Sequence, residues 1–254
     1  MFDAIDPGRK ITNEEYDERV PALREQLLAA QFALAASERS VIIVIAGIEG
    51  AGKGALVHRL NEWMDPRRIE TNTYWMRSDE EESRPYYWRF WRNMPKRGRI
   101  GIFLGSWYRG PVQRTIDADL SGEQFLEHCD QIRLFEDMLA ADGTLVFKLW
   151  LHIDEKAQAR QLAERAGADQ NPRVTDVPYE LHGQYDKQVE VASKLLESTT
   201  TRSNPWHIID AGERNYRELR SGELLVTAMM RRLSGMDDEE LAAGNGADEI
   251  PAEQ

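Results

Sequence analysis

One cysteine in 254 residues, Cys129, has no partner for an internal disulfide, so a disulfide framework is excluded and a reducing cytosol suits the chain. Long apolar runs are also missing. The longest, Val41 to Ala46, is far shorter than the roughly 20 residues of a membrane-spanning helix, which excludes a transmembrane protein of that kind. Met1 to Asp6 is acidic and has no apolar stretch of signal-peptide length, so a cytoplasmic location is expected. The 5 histidines show no metal-ligand spacing. Basic residues are the minority, 32 Lys and Arg against 44 Asp and Glu, and the net charge of −12 argues against DNA, RNA or another polyanion as partner.

The distribution of charge alters that last conclusion. Residues 235–254 hold 7 acidic side chains and no basic one, and without them the net charge is −5 rather than −12. From Arg84 to Arg114 there are 8 Lys and Arg and no Asp or Glu. A cationic, acid-free window inside an acidic chain requires an explanation.

Residues 1–40 read as a helical arm. Thr12 and Glu15 have capping-box spacing, and Pro21 stands where a first helical residue often does. Leu23, Leu27, Leu28, Phe32 and Leu34 then recur at helical intervals, so a helix is expected from about Pro21 to Ala36. Val41 to Ala46 is β-branched and wholly apolar, which suits a strand buried on both faces of a parallel sheet. Further strands are expected at 70–74, 100–104, 145–152 and 206–210, with helices at 121–141 and 184–198. This alternation predicts an α/β fold with a doubly wound parallel sheet flanked by helices. The domain would span 41–233, with an irregular connection at 167–178. Residues 234–254, acidic and rich in Gly and Ala, read as a disordered tail or linker.

The strongest chemical signal lies between the first strand and the following helix. Gly47-Ile48-Glu49-Gly50-Ala51-Gly52-Lys53-Gly54 fits G-x-x-x-x-G-K. In that motif the loop of Gly47, Gly50, Ala51, Gly52 and Gly54 turns backbone N–H groups onto a phosphate, and Lys53 reaches the adjoining phosphoryl group. The positive end of the helix dipole adds to the same anion site. Gly54 replaces the Ser or Thr that normally helps hold Mg²⁺, so another oxygen must serve that metal, and Glu49 is the nearest. Asp119-Leu120-Ser121-Gly122 matches D-x-x-G but follows no apolar strand, and a guanine-reading N-K-x-D is missing, so a GTPase is not expected.

In the cationic window, arginines alternate with Tyr86, Tyr87, Trp88, Phe90 and Trp91. Trp88 and Trp91, like Arg89 and Arg92, are three apart, so a helix would group aromatics on one side and guanidinium groups on the other. Such a lid, with Arg84, Arg89, Arg92, Arg109 and Arg114 as phosphate-binding cations, suits transfer of a phosphoryl group.

Taken together, GIEGAGKG at 47–54, SDEEESRPYYWRFWRNMPKRGRIGIF at 78–103, Ser106-Trp107-Tyr108 and Pro205-Trp206 resemble the polyphosphate kinase type 2 family over about residues 15–233. LNEWMDPR at 60–67 and RFWRNMPKRGRIGIFLGSWY at 89–108 are similar to the amino-terminal half of its two-domain polyphosphate:AMP members. The resemblance implies a P-loop NTPase-like, nucleotide-kinase-like fold with a helical lid at about 78–99, and phosphoryl transfer between inorganic polyphosphate and AMP or ADP with Mg²⁺, with Lys53 and Glu49 as catalytic residues, in a homo-oligomer. It also shows a departure. The family usually places Asp or Asn and then Arg before Ser-Trp-Tyr, where this chain has Leu104 and Gly105. Arg109 or Arg114 could substitute for that arginine. The alternative is a catalytically degenerate polyphosphate-binding or structural domain, in which Leu104→Asp with Gly105→Arg should recover activity. A kinase using ATP as donor is a third reading.

Overall fold

The computed structural model describes residues 8–168 and 184–234. Five parallel strands form one sheet in the order β2-β3-β1-β4-β5: β1 (Ser40–Gly47), β2 (Ile69–Thr73), β3 (Ile100–Leu104), β4 (Thr144–His152) and β5 (Trp206–Asp210). The central β1 pairs with β3 on one side and β4 on the other, with Ile43 opposite Ile102 and Phe147. Both faces of the sheet are covered by helices. Val41 to Ile45 are therefore almost fully buried, as the continuous apolar run predicts. The connection from β1 runs to β2 on one side of it and that from the neighbouring β4 runs to β5 on the other, so the crevice at the carboxyl ends of these strands is the switch point where ligands bind in open α/β sheets.

The helices are α1 (Asn13–Ala35), α2 (Lys53–Trp63), α3 (Asp79–Glu82), α4 (Trp88–Trp91), α5 (Arg109–Ile116), α6 (Gly122–Ala141), α7 (Glu155–Ala168), α8 (Tyr185–Thr199) and α9 (Arg214–Ser234). α1 starts eight residues before the expected Pro21. Thr12 caps it by accepting from the Glu15 N–H, and Pro21 lies in its interior. The proline leaves the Asp17 carbonyl without its i+4 donor. Burial of Leu23, Leu27, Ala30 and Leu34 against the body of the protein carries the helix through that fault. Ser121, the third residue of the D-x-x-G match, caps α6 in a box with Gln124.

Gly167 and Ala168, expected in the irregular connection, end α7 instead, and the rest of that segment lies outside the described residues. Ser234, expected in the tail, closes α9, and residues 235–254 are likewise outside. No helix among the described residues is long and apolar enough to cross a membrane.

The lid region also differs from one helix with two faces. It contains two single turns, α3 and α4, and in α4 Arg89 is buried whereas Trp91 and Arg92 are exposed. Aromatic packing is the reason. Phe90 sets its ring edge on Tyr74 and Trp107, and Tyr86 donates to the Trp107 carbonyl at 2.7 Å, so α4 is fastened to the sheet by its centre.

Candidate functional site

The phosphate loop runs from the end of β1 into α2. Gly52 caps α2 at a φ of +80°, a left-handed conformation that favours glycine, and no side chain caps the helix. The first N–H groups of α2 are thus left to an anion. Lys53 Nζ donates to the carbonyls of Gly47 (2.9 Å) and Ile48 (3.0 Å) and to Glu49 Oε2 (3.2 Å). The two residues selected from the motif are therefore in contact. The ammonium folds back over its own loop, held by three of the loop's oxygens.

Two further side chains touch the loop: Gln158 of α7 donates to the Glu49 carbonyl at 3.2 Å, and Arg217 of α9 lies against Gly52. Neither was selected from the sequence, because each comes from a helix more than 100 residues away.

The second half of the site is the turn from β3 into α5. Leu104 ends β3 and accepts from the Tyr74 N–H at 2.8 Å. Gly105 follows at a φ of +69°, and a β-carbon there would stand 2.3 Å from the Tyr74 carbonyl oxygen. An arginine at 105 therefore cannot enter without moving backbone, which weighs against the expected recovery of activity by Leu104→Asp with Gly105→Arg. Arg109 occupies that space. Its Cδ lies 3.4 Å from the same β-carbon position, and its guanidinium covers the Trp75 ring at 3.8 Å from the centroid. Burial pushes the Arg109 pKa below its ordinary value, and the nearby Glu49 carboxylate opposes that shift. Arg109, Glu49 and Lys53 thus belong to one electrostatic group.

Trp107 and Tyr108, which precede Arg109, are fixed from below by a buried ion pair. Lys148 of β4 and Glu136 of α6 meet at 2.7 Å. Glu136 also accepts from Trp107 Nε1 at 3.0 Å and Tyr108 Oη at 2.6 Å, while Lys148 donates to the Thr199 carbonyl at 2.8 Å.

The remaining arginines are dispersed. Arg89 pairs with Glu81 at 3.3 Å and lies over the Tyr74 ring at 5.1 Å, so it joins α3 to α4 rather than facing solvent. Arg84 and Arg92 are exposed, and both cover the Trp88 ring, at 5.1 and 4.9 Å. Arg114 is exposed on α5. Among the described residues no group of three His, Cys, Asp or Glu side chains forms a metal site, and Glu49 is the carboxylate that the loop itself contributes.

The polyphosphate kinase 2 family model matches residues 10–235. A polyphosphate:AMP phosphotransferase of Pseudomonas syringae is 36% identical over 244 residues, covering 95% of this chain and 49% of the relative. One of Pseudomonas aeruginosa is 38% identical over 240 residues, covering 92% and 48%. The chain spans about half the length of these curated relatives. A crystal structure of a polyphosphate kinase 2 from Pseudomonas aeruginosa superposes with a TM-score of 0.82 at 36% identity, over 92% of this chain and 48% of that one. Another, from Arthrobacter aurescens, shares the fold with a TM-score of 0.81 at 22% identity, over 90% and 84%.

Proposed function

Because this chain belongs to the polyphosphate kinase 2 family, we propose that it transfers phosphoryl groups between inorganic polyphosphate and AMP or ADP, with Mg²⁺, in the cytoplasm and as a homo-oligomer. The observation that carries the reading is the phosphate loop at the sheet's switch point, with Lys53 and Glu49 in contact and the Arg109 guanidinium within their field.

Phosphoryl transfer leaves a protein little covalent work, so positioning and charge dominate. The loop N–H groups hold the transferring phosphate, and Lys53 leaves the Gly47 and Ile48 carbonyls to neutralise it. Arg109 takes the place of the second-motif arginine that Gly105 excludes. Trp75 and the anchored Trp107-Tyr108 turn fix its direction, so little rotamer freedom is lost on closing over the substrate. Mg²⁺ usually binds through one or two carboxylates together with substrate phosphates, and a single carboxylate, Glu49, fits that habit. When bound it would neutralise charge on the phosphates, with Glu49 as its protein ligand.

The test is product formation from polyphosphate and AMP or ADP. Wild type should turn over and Lys53→Ala should not. Equal product from both would sink the enzymatic reading. One observation favours a second reading, a polyphosphate-binding domain without turnover: Leu104 and Gly105 offer neither carboxylate nor guanidinium. That reading predicts salt-sensitive binding in the same samples without product. Product made from ATP but not from polyphosphate would instead indicate an ordinary nucleotide kinase.

A further inference from the structure

α9 brings another cation to the glycine-rich loop. Arg217 lies in the first turn of α9 and is only 8% exposed. Its guanidinium packs on Gly52, where a β-carbon would stand 2.7 Å from both Cζ and Nη1. Nη1 donates to the Ala211 carbonyl, just beyond β5, at 3.2 Å, and Nε is buried with no acceptor.

The nearby carboxylates are engaged elsewhere. Glu218 takes Arg59 at 2.8 Å, Arg214 at 3.0 Å and the Tyr16 hydroxyl. Glu213 accepts from the N–H groups of Ile11, Asn215 and Tyr216. Among the described residues none stands within ion-pair distance of Arg217. Burial pushes its pKa below the ordinary arginine value, against the opposing but more distant charges of Glu218 and Glu213.

A desolvated charge without a counter-ion is costly, and a fold tolerates one where something offsets the cost. We propose that Arg217 is a phosphate ligand, taking the phosphoryl group next to the one held by the loop amides and Lys53. A planar guanidinium with spare N–H donors suits the bidentate oxygens of a phosphate chain, and Gly52 is the residue whose missing side chain lets it approach. This assignment rests on the reading of the loop as a polyphosphate site, and extends it from one phosphate to two.

The experiment compares wild type with Arg217→Met, Arg217→Lys and Lys53→Ala in the full chain. Melting temperature and tripolyphosphate affinity are measured over a range of salt. Arg217→Met should keep or raise the melting temperature without ligand, because it removes an unpaired buried charge. It should also weaken tripolyphosphate binding about 10- to 100-fold, the worth of a hydrogen bond to a charged group, and reduce the slope of log K against log salt by about one counter-ion. Arg217→Lys should keep the slope and recover part of the affinity.

A lower melting temperature with unchanged affinity and slope in Arg217→Met would make Arg217 a structural strut and overturn the proposal. Should that variant fail to fold, Arg217→Lys decides, and wild-type affinity in it overturns the proposal. If Lys53→Ala loses binding while Arg217→Met does not, the loop reading stands and the Arg217 assignment alone falls. If wild type binds no tripolyphosphate, both fall.

Discussion

Lys148 and Glu136 form an ion pair at 2.7 Å with essentially no solvent contact, between the second strand from one edge of the sheet and the helix beneath the Trp107-Tyr108 turn. Burial acts against both charges, pushing Lys148 down and Glu136 up; Lys148, Tyr108 and Trp107 oppose the shift at Glu136, and Glu136 and Asp137 oppose it at Lys148. Removing one partner leaves a buried charge uncompensated. Glu136→Gln or Lys148→Met alone should therefore cost about 3–5 kcal/mol, measured by urea unfolding. The double change Glu136→Leu with Lys148→Met should recover most of that loss while still reducing turnover, because Trp107 Nε1 and Tyr108 Oη lose their acceptor. Full activity in the stable double variant would show that the pair does not position the turn.

A second prediction concerns α1. Pro21 costs the helix a backbone hydrogen bond, and a proline in a helix interior is about 3 kcal/mol worse than alanine in model helices. Pro21→Ala should raise stability by about 1–3 kcal/mol, with no change in phosphate binding, as read by thermal unfolding. A loss of stability would mean that the proline ring's packing outweighs the missing bond.

All five strands and the glycine-rich turn from β1 into α2 were legible in the sequence because their signals are local. Val41 to Ala46 is uniformly apolar and β-branched, and the glycines and Lys53 follow within a few residues. The start of α1 was misjudged because a proline reads as a boundary, whereas long-range packing on α9 overrides it. Lys148 did carry a signal, a lone lysine in the apolar strand Leu145 to His152, but nothing local shows that its partner is Glu136. Arg217 is one of several arginines in Arg214-Asn215-Tyr216-Arg217-Glu218-Leu219-Arg220. Only the tertiary structure distinguishes the buried one from its exposed neighbours.

Acid sensitivity follows from His207 on β5. Its ring lies 4.8 Å from that of Phe147, and burial first, then the charges of Arg220, Arg231 and Lys148, push its pKa from 6.5 down to about 4. Because the folded value is the lower one, the unfolded chain binds more protons between these limits. Stability contributed by the neutral ring is fully present above pH 6.5 and is lost as pH falls toward 4. The loss is up to about 3 kcal/mol for one such group. Urea unfolding of wild type at pH 7 and pH 5 should show part of this loss, and His207→Phe, which keeps a ring against Phe147, should lose less. Parallel behaviour of the two proteins would exclude His207 as the source.

The relation between Gly105 and Arg109 gives the most direct test of whether Arg109 serves the site in a chain with Leu104 and Gly105 before Ser106. The arginine side chain lies across the space above the glycine, and the Tyr74 carbonyl closes that space to any β-carbon at 105. Gly105→Arg, alone or with Leu104→Asp, should therefore lower the melting temperature and displace Arg109 without raising turnover. Arg109→Ala should lower turnover by roughly 10³-fold or more, the range of an arginine that stabilises a transferring phosphoryl group. Arg109→Lys should recover only part of that, since an ammonium can neither fork onto two oxygens nor stack as flatly on Trp75. Arg114→Ala, on the exposed face of α5, is the comparison. If it proves as damaging as Arg109→Ala, the effect comes from general positive charge and not from the guanidinium over Gly105. If Gly105→Arg gains activity instead, the turn is more plastic than its geometry implies, and the residue lost from the motif, not Arg109, is the one that matters.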